Sequence, residues 1–358
     1  MIILNIYLFK RFLLGLLVSL IVLVSLEIFF SFSAEMKYLN EGNYTFKMIL
    51  KYIILSIPRS IETMFPYSVL IGALLSLGAM AADMEFVAMQ SAGVSVRKIL
   101  IVILLQTFFI SSIFYIVVDS VVPKFSSKAE SMRNTALNKQ SYFDKNGTWF
   151  KNDNSFIKIL EIYPDDIIKG VSVYTYNDDN QLSSVNYIKS AKFINGQWNL
   201  VDVIKIDLTV NPITKKAFKS KISDNLIDIK LIKIKTDKPY SLSLNDVRRN
   251  IKYLENNNLD VTIQEKIFWD KVMQPIATVI MLFLAMPFIF GRMRSINASK
   301  RIVIGLFIGI IFFIISSIIP NLGLIIGINP LISVILPLVV FALLGRYVFK
   351  YQLESGLR

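Results

Sequence analysis

Across 358 residues the chain is 54% hydrophobic and only 18% charged, against about 25% charged in an ordinary soluble domain. It contains no histidine and no cysteine, which excludes imidazole acid–base chemistry, His–Cys zinc sites, disulfides, thiol nucleophiles and iron–sulfur ligation. The net charge of +13 would suggest nucleic acid in a soluble protein, but here basic residues flank apolar runs long enough to cross a bilayer.

Along the chain, the first such run is Phe12 to Phe32, which lacks the small-residue cleavage site of a signal peptide. An amphipathic stretch from Phe46 to Met64, broken at Pro58, is expected to lie along the interface before a second span from Pro66 to Ala82. Gly72, Ser76 and Met80, with Ala73 and Ala79, give this span a small-residue face for close helix packing. A short cytoplasmic turn, about residues 83–93, leads to a third span, Ile99 to Val122. Gly93 is placed to end a helix in that turn and Ser95 to cap the next one.

From about Tyr142 to Lys235 the apolar runs shorten and alternate. Val171, Val173 and Thr175 precede the turn Asn177–Asn180, and Asn195-Gly196 is a strong hairpin signal between Ala191–Ile194 and Trp198–Leu208. Ile227, Ile229 and Leu231 alternate with Asp228 and Lys230 and read as a half-buried strand. These runs predict an antiparallel sandwich or open roll. Leu244 to Glu255 reads as one amphipathic helix, and Thr262 through Glu265 as a capping box that opens the fourth span. The remaining spans are Phe268 to Phe290, Ile302 to Ile319 and Leu331 to Phe349, with Pro275 and Pro287 expected to kink the first of these.

Lysine and arginine counts in the short loops orient the chain. One side holds eleven (Lys10, Arg11, Arg97, Lys98, Arg292, Arg294, Lys300, Arg301, Arg346, Lys350, Arg358) and the other four (Lys37, Lys47, Lys51, Arg59). Both termini are therefore expected in the cytoplasm. The fold class is an α-helical integral membrane protein with six transmembrane helices and an antiparallel β domain between the third and fourth. The expected division is 1–122 for spans one to three, 123–266 for the outer domain and 267–358 for spans four to six. No metal or cofactor set is legible, and no Gly-rich phosphate loop ends in Lys-Ser or Lys-Thr, so any ATP used would be hydrolysed by another subunit.

The turn Asp83-Met84-Glu85-Phe86-Val87-Ala88-Met89-Gln90-Ser91-Ala92-Gly93 resembles the LptF/LptG permease family of lipopolysaccharide export. So do Lys145-Asn146-Gly147-Thr148-Trp149-Phe150, the order of spans, and Gln274-Pro275 through Phe288-Ile289-Phe290-Gly291-Arg292-Met293-Arg294-Ser295, the last nearer the LptG branch. The resemblance covers essentially the whole chain. It implies a non-catalytic permease in the bacterial inner membrane, with the outer domain a periplasmic β-jellyroll. The implied partners are an LptF-like second permease, a dimeric LptB-like cytoplasmic ATPase, a single-span LptC-like subunit, an LptA-like periplasmic bridge and lipopolysaccharide, but no nucleic acid.

It also implies roles for residues. The turn would be the coupling helix seated in the ATPase, with Glu85, Met89 and Gly93 at that contact; the competing reading of Glu85 is a solvated loop charge. A polyanionic lipid needs cations at the outer boundary, and the candidates are Arg133 and Arg59, then Lys37 and Lys128. Interfacial anchoring is the competing reading for each. Ser31 is a departure, since LptG-like permeases carry a lysine near that position. Glu27 and Asp119 are intramembrane acids expected to face a cavity or a partner. Three other classes compete: a mechanotransmitting ABC-type subunit, which typically has four spans; a secondary transporter for another lipid, which would need broken helices or charge pairs near the midplane; and a membrane-anchored polysaccharide or lipid enzyme, for which no paired-acid constellation is legible.

Overall fold

The computed structural model describes residues 2–137, 142–163, 166–210, 212–223, 226–229, 231–232, 241–290 and 298–354. The elements run α1 (Ile2–Glu35), a 3-10 turn (Met36–Tyr38), α2 (Phe46–Ala82), the short α3 (Glu85–Ser91), α4 (Val96–Ala136), β1 (Tyr142–Asn152), β2 (Ser155–Tyr163), β3 (Ile167–Tyr176), β4 (Leu182–Ile194), β5 (Gln197–Asp207), β6 (Thr214–Ser223), α5 (Leu244–Asn256), α6 (Thr262–Phe290), α7 (Ala298–Ile326) and α8 (Pro330–Glu354). Six of these helices (α1, α2, α4, α6, α7, α8) are long and apolar enough to cross a membrane. A six-stranded antiparallel sheet is inserted in the chain between the third and fourth. The chain forms two compact units, one of Met1–Lys37, Ile53–Ser126 and Val261–Arg358, the other of Tyr38–Tyr52 and Ser127–Asp260.

In the helical unit, α1 buries Leu8, Phe12, Gly15, Leu16 and Ser19, a stripe at helical spacing. The small face of α2 meets it closely. A Cβ at Gly15 would lie 2.6 Å from the Gly72 carbonyl, and one at Gly72 would lie 2.7 Å from Leu16 Cα, so α1 and α2 cross backbone on backbone. Ser19 Oγ donates to the Ser68 carbonyl (2.7 Å) beside this crossing. The expected break at Pro58 does not occur: α2 runs through Pro58 and Pro66 for 37 residues, about 55 Å. An internal proline costs about 3 kcal/mol, which the packing of Phe65, Val69, Leu70, Ala73, Leu74 and Leu77 in one core offsets. α4 likewise continues past Pro123 to Ala136.

α6 begins at Thr262, but Glu265 N–H bonds the Val261 carbonyl, so Thr262 is the first helical residue rather than the expected cap. The reciprocal box is found at α5 instead. Ser243 Oγ accepts from Asp246 N–H (3.2 Å), and the Asp246 carboxylate accepts from Ser243 N–H (3.2 Å). α6 runs through Pro275 and Pro287. Near its start, Lys271 Nζ lies 3.4 Å from Asp119 Oδ1 of α4, both side chains about one-fifth exposed. Breaking such a half-buried pair leaves a costly lone charge.

The sheet is an antiparallel meander in which each strand pairs with its neighbours in sequence. Asn195 (φ 51°) and Gly196 (φ 86°) form the two-residue turn between β4 and β5. The ladders β2–β3, β3–β4, β4–β5 and β5–β6 all skip pairing on one row: Leu160, Gly170, Lys189, Asp202 and Lys219. Gly170 (φ 62°) and Asp202 (φ 52°) are left-handed there. The register is the same on both sides of this row, so each strand carries one unpaired residue and its inward positions shift by one. Inward side chains therefore fall three apart across this crease, as Ile168/Val171, Ile188/Ala191 and Leu200/Val203, and both halves of the sheet feed one core.

In place of the strand expected at Ile227–Leu231, Ile229, Leu231 and Ile232 are helical, and Lys230 lies outside the described residues. Leu231 N–H and Ile232 N–H both bond the Asp228 carbonyl, and Ile227 and Ile232 enter the sheet's core. Trp198, fully buried, donates its indole N–H to the Ile227 carbonyl (2.8 Å) and holds this turn in place. On the free edge of the sheet, the Tyr253 hydroxyl of α5 donates to the Lys151 carbonyl (2.7 Å) and accepts from its N–H (3.1 Å).

Candidate functional site: the α2–α4 turn and the basic residues

α3 is a seven-residue helix between two tight turns. It starts from Met84 in the left-handed region (φ 59°), whose carbonyl accepts from Val87 N–H (3.0 Å) and Ala88 N–H (3.1 Å). At its other end Gly93 N–H bonds the Gln90 carbonyl (2.9 Å) and Val94 N–H bonds the Met89 carbonyl (3.0 Å), the 5→2 and 6→1 pair of a Schellman ending. Gly93 (φ 86°) supplies the left-handed residue this ending requires, with open space beyond it.

The helix has two faces. Phe86 is 4% exposed and packs on Phe290 (centroids 4.8 Å), and Met89 joins the same core. Glu85 also points inward. Tyr7 OH donates to Glu85 Oε2 (2.9 Å), Arg11 Nε donates to Tyr7 OH (3.0 Å), and an Arg11 terminal nitrogen stands 3.7 Å from Glu85 Oε1. This network flanks a cavity of about 250 Å³ whose apolar wall includes Leu14, Val18 and Leu75. The outward face carries Met84 (56% exposed), Val87 (43%), Ala88 and Ser91, one stripe at positions i, i+3, i+4 and i+7. The Glu85–Tyr7 contact spans 78 residues and has no signature in the sequence.

The four basic candidates are placed differently from one another. Arg133, in the last turn of α4, lies over the rings of Tyr38 (4.8 Å) and Tyr52 (5.7 Å), a cation held between two aromatic faces. Lys128 lies five residues earlier on the same helix, on a different face, and is exposed. Lys37 is exposed in the 3-10 turn, next in sequence to Tyr38. Arg59 is half-buried on α2. The two tyrosines were missed as site residues, because an aromatic before or within an apolar run reads as an interfacial anchor.

Ser31 Oγ donates to Glu27 Oε1 (3.1 Å), so Ser31 serves an acid on its own helix. The other Glu27 oxygen is buried with no partner among the described residues. No group of three or more acidic residues that could hold a metal occurs among the described residues.

The sequence model of the family described as "Lipopolysaccharide export system permease LptF/LptG" matches residues 6–351. The Escherichia coli K12 protein named lipopolysaccharide export system permease protein LptG is 31% identical over 354 residues, covering 95% of this chain and 96% of that protein. The Haemophilus influenzae protein of the same name is 29% identical over 344 residues, covering 94% of each.

Proposed function

Because the chain belongs to the LptF/LptG family of lipopolysaccharide export permeases, we propose that it acts as the LptG-type permease of a transporter driven by a separate ATPase docked on α3. It is a multi-pass membrane permease of lipopolysaccharide export, a family without catalytic chemistry of its own. In this reading the termini and α3 face the cytoplasm and the sheet faces the periplasm. A second, LptF-like permease completes the lipid cavity, a dimeric LptB-like ATPase supplies the stroke, and a single-span LptC-like subunit adjusts the gate. Lipopolysaccharide leaves the outer leaflet of the inner membrane for the periplasmic sheet and then an LptA-like bridge.

The observation that carries the reading is the two-faced α3. Phe86 and Met89 root it in the helical core while Met84, Val87 and Ala88 stay open on its far side. Apolar residues at the water boundary without a partner are costly to expose, and an ATPase groove would cover them. Met89 then seats the coupling helix and Gly93 terminates it; the surface presented to the partner comes from Met84, Val87 and Ala88. Glu85 belongs to the inner face and acts by holding α3 in position.

At the outer boundary, Arg133 is the best prepared phosphate ligand, because the rings of Tyr38 and Tyr52 fix its guanidinium before any lipid arrives. Lys128 adds charge on the same helix as Arg133, and Lys37 and Arg59 are the proposed cations of the helical unit. The Ser31–Glu27 bond means the first helix contributes no cation at that position, so the head-group contacts here differ from those of a permease with a lysine there.

The test is complementation of a strain depleted of its own permease. Glu85→Ala and Glu85→Lys are expected to reach the membrane at normal levels yet fail to support growth. Full complementation by both would sink the coupling role.

A further inference from the structure

We infer that Tyr7 is a positioning residue for the transport stroke, joining α3 to α1 through its hydroxyl so that movement of the cytoplasmic turn is passed to the first spanning helix. The inference rests on α3 being the ATPase contact.

The geometry is a directed chain. The Arg11 guanidinium donates to the Tyr7 oxygen (3.0 Å), and that hydroxyl donates onward to the Glu85 carboxylate (2.9 Å). Tyr7 and Arg11 are four residues apart and so share one face of α1, where the guanidinium also sits 5.4 Å from the centre of the Tyr7 ring. Each donor is polarised by the next charge, which makes the phenol-to-carboxylate bond a strong one. The direct Arg11–Glu85 contact, at 3.7 Å with Arg11 55% exposed, is the weaker link. The phenol therefore carries the connection.

α3 is otherwise tied covalently only to α2 and α4, through short turns. A pull on α3 reaches those helices along the chain, but it reaches α1 across space. Beyond Tyr7, α1 meets α2 most closely at Gly15 and Gly72, where the backbones touch and the crossing can serve as a pivot. From Tyr7 to Glu27 the helix spans about 30 Å, so a tilt about this crossing moves the outer half of α1, where Glu27 and Ser31 lie. The cavity lined by Arg11, Leu14 and Glu85 is the space into which the cytoplasmic end of α1 can move.

The experiment uses the purified complex of this chain with its second permease and ATPase, reconstituted in lipopolysaccharide-containing vesicles. Two quantities are read: the amount of ATPase that co-purifies, and the lipid delivered per ATP hydrolysed. Absence of the ATPase from the wild-type complex overturns the docking reading itself. With the ATPase bound, Tyr7→Phe, which removes one oxygen, is expected to lower lipid delivered per ATP about tenfold, the loss of one charge-assisted hydrogen bond. Its ATPase content should match wild type. Glu85→Gln should show a similar loss, and the double variant should be no worse than the poorer single, because both act through one bond. A Tyr7→Phe complex with a wild-type ratio, with a loss that adds to that of Glu85→Gln, or with its ATPase gone would each overturn the inference.

Discussion

In the helical unit α1 hides Leu8, Phe12 and Leu16 but leaves Leu14, Ile21 and Phe29 open, all of them apolar. In the sheet, Ile159, Ile168 and Trp198 are enclosed, while the outward positions hold Lys158, Trp149 and Tyr187. The two units therefore mark their contacts in different ways. Where lipid replaces water, apolarity no longer distinguishes inside from outside, and small residues and hydrogen-bonding side chains do so instead: Gly15 against Gly72, Ser19 on Ser68, Tyr7 on Glu85. Where one face meets water, alternation marks the inside until the crease interrupts it.

This contrast can be broken by substitution. The largest loss should come from the sheet. Trp198→Ala removes a fully buried side chain and its bond to Ile227, and should destabilise the sheet unit by about 3–5 kcal/mol. Limited proteolysis of the detergent-solubilised protein should show cleavage within residues 142–223 while the spans stay intact. Next, Gly72→Leu forces side-chain atoms into the α1 backbone and should cost about 1–3 kcal/mol, although the substitution raises apolarity. Size-exclusion chromatography would show a smaller monodisperse fraction; an unchanged profile would mean that the α1–α2 contact does not depend on small residues. The smallest effect should be at Tyr187, 45% exposed on the sheet's outward face, where Tyr187→Ser should stay within about 0.5 kcal/mol. A larger shift in protease sensitivity would show that this face is packed.

How much of this was legible follows from the same contrast. The six helices could be read because predominantly apolar runs of that length form helices in a bilayer. Their true lengths could not, since Pro58, Pro66 and Pro123 are local break signals that tertiary packing overrides. The β4–β5 hairpin was written in Asn195-Gly196, but the crease was not. It is a row of residues from five strands, and only Gly170 and Asp202 betray it through backbone angles. The run Ile227-Asp228-Ile229-Lys230-Leu231 alternates like a strand in sequence, but Ile229, Leu231 and Ile232 are helical, and Ile227 and Ile232 both find the core around Trp198.

At the α2–α4 turn, the existence of a short helix could be read from the resemblance. Which way each side chain points could not, because seven residues are too few to show a period. Arg133 was foreseen as a candidate cation; its seat between Tyr38 and Tyr52 depends on residues 95 and 81 positions away in the chain.

The most direct measurement is site-specific photo-crosslinking from α3 in cells. A photoreactive residue at Val87, on the open face, should give a strong adduct to the cytoplasmic ATPase, and one at Met89, on the rooted face, should give little or none. An adduct from Met89 with none from Val87 would contradict the account of how this permease receives its stroke.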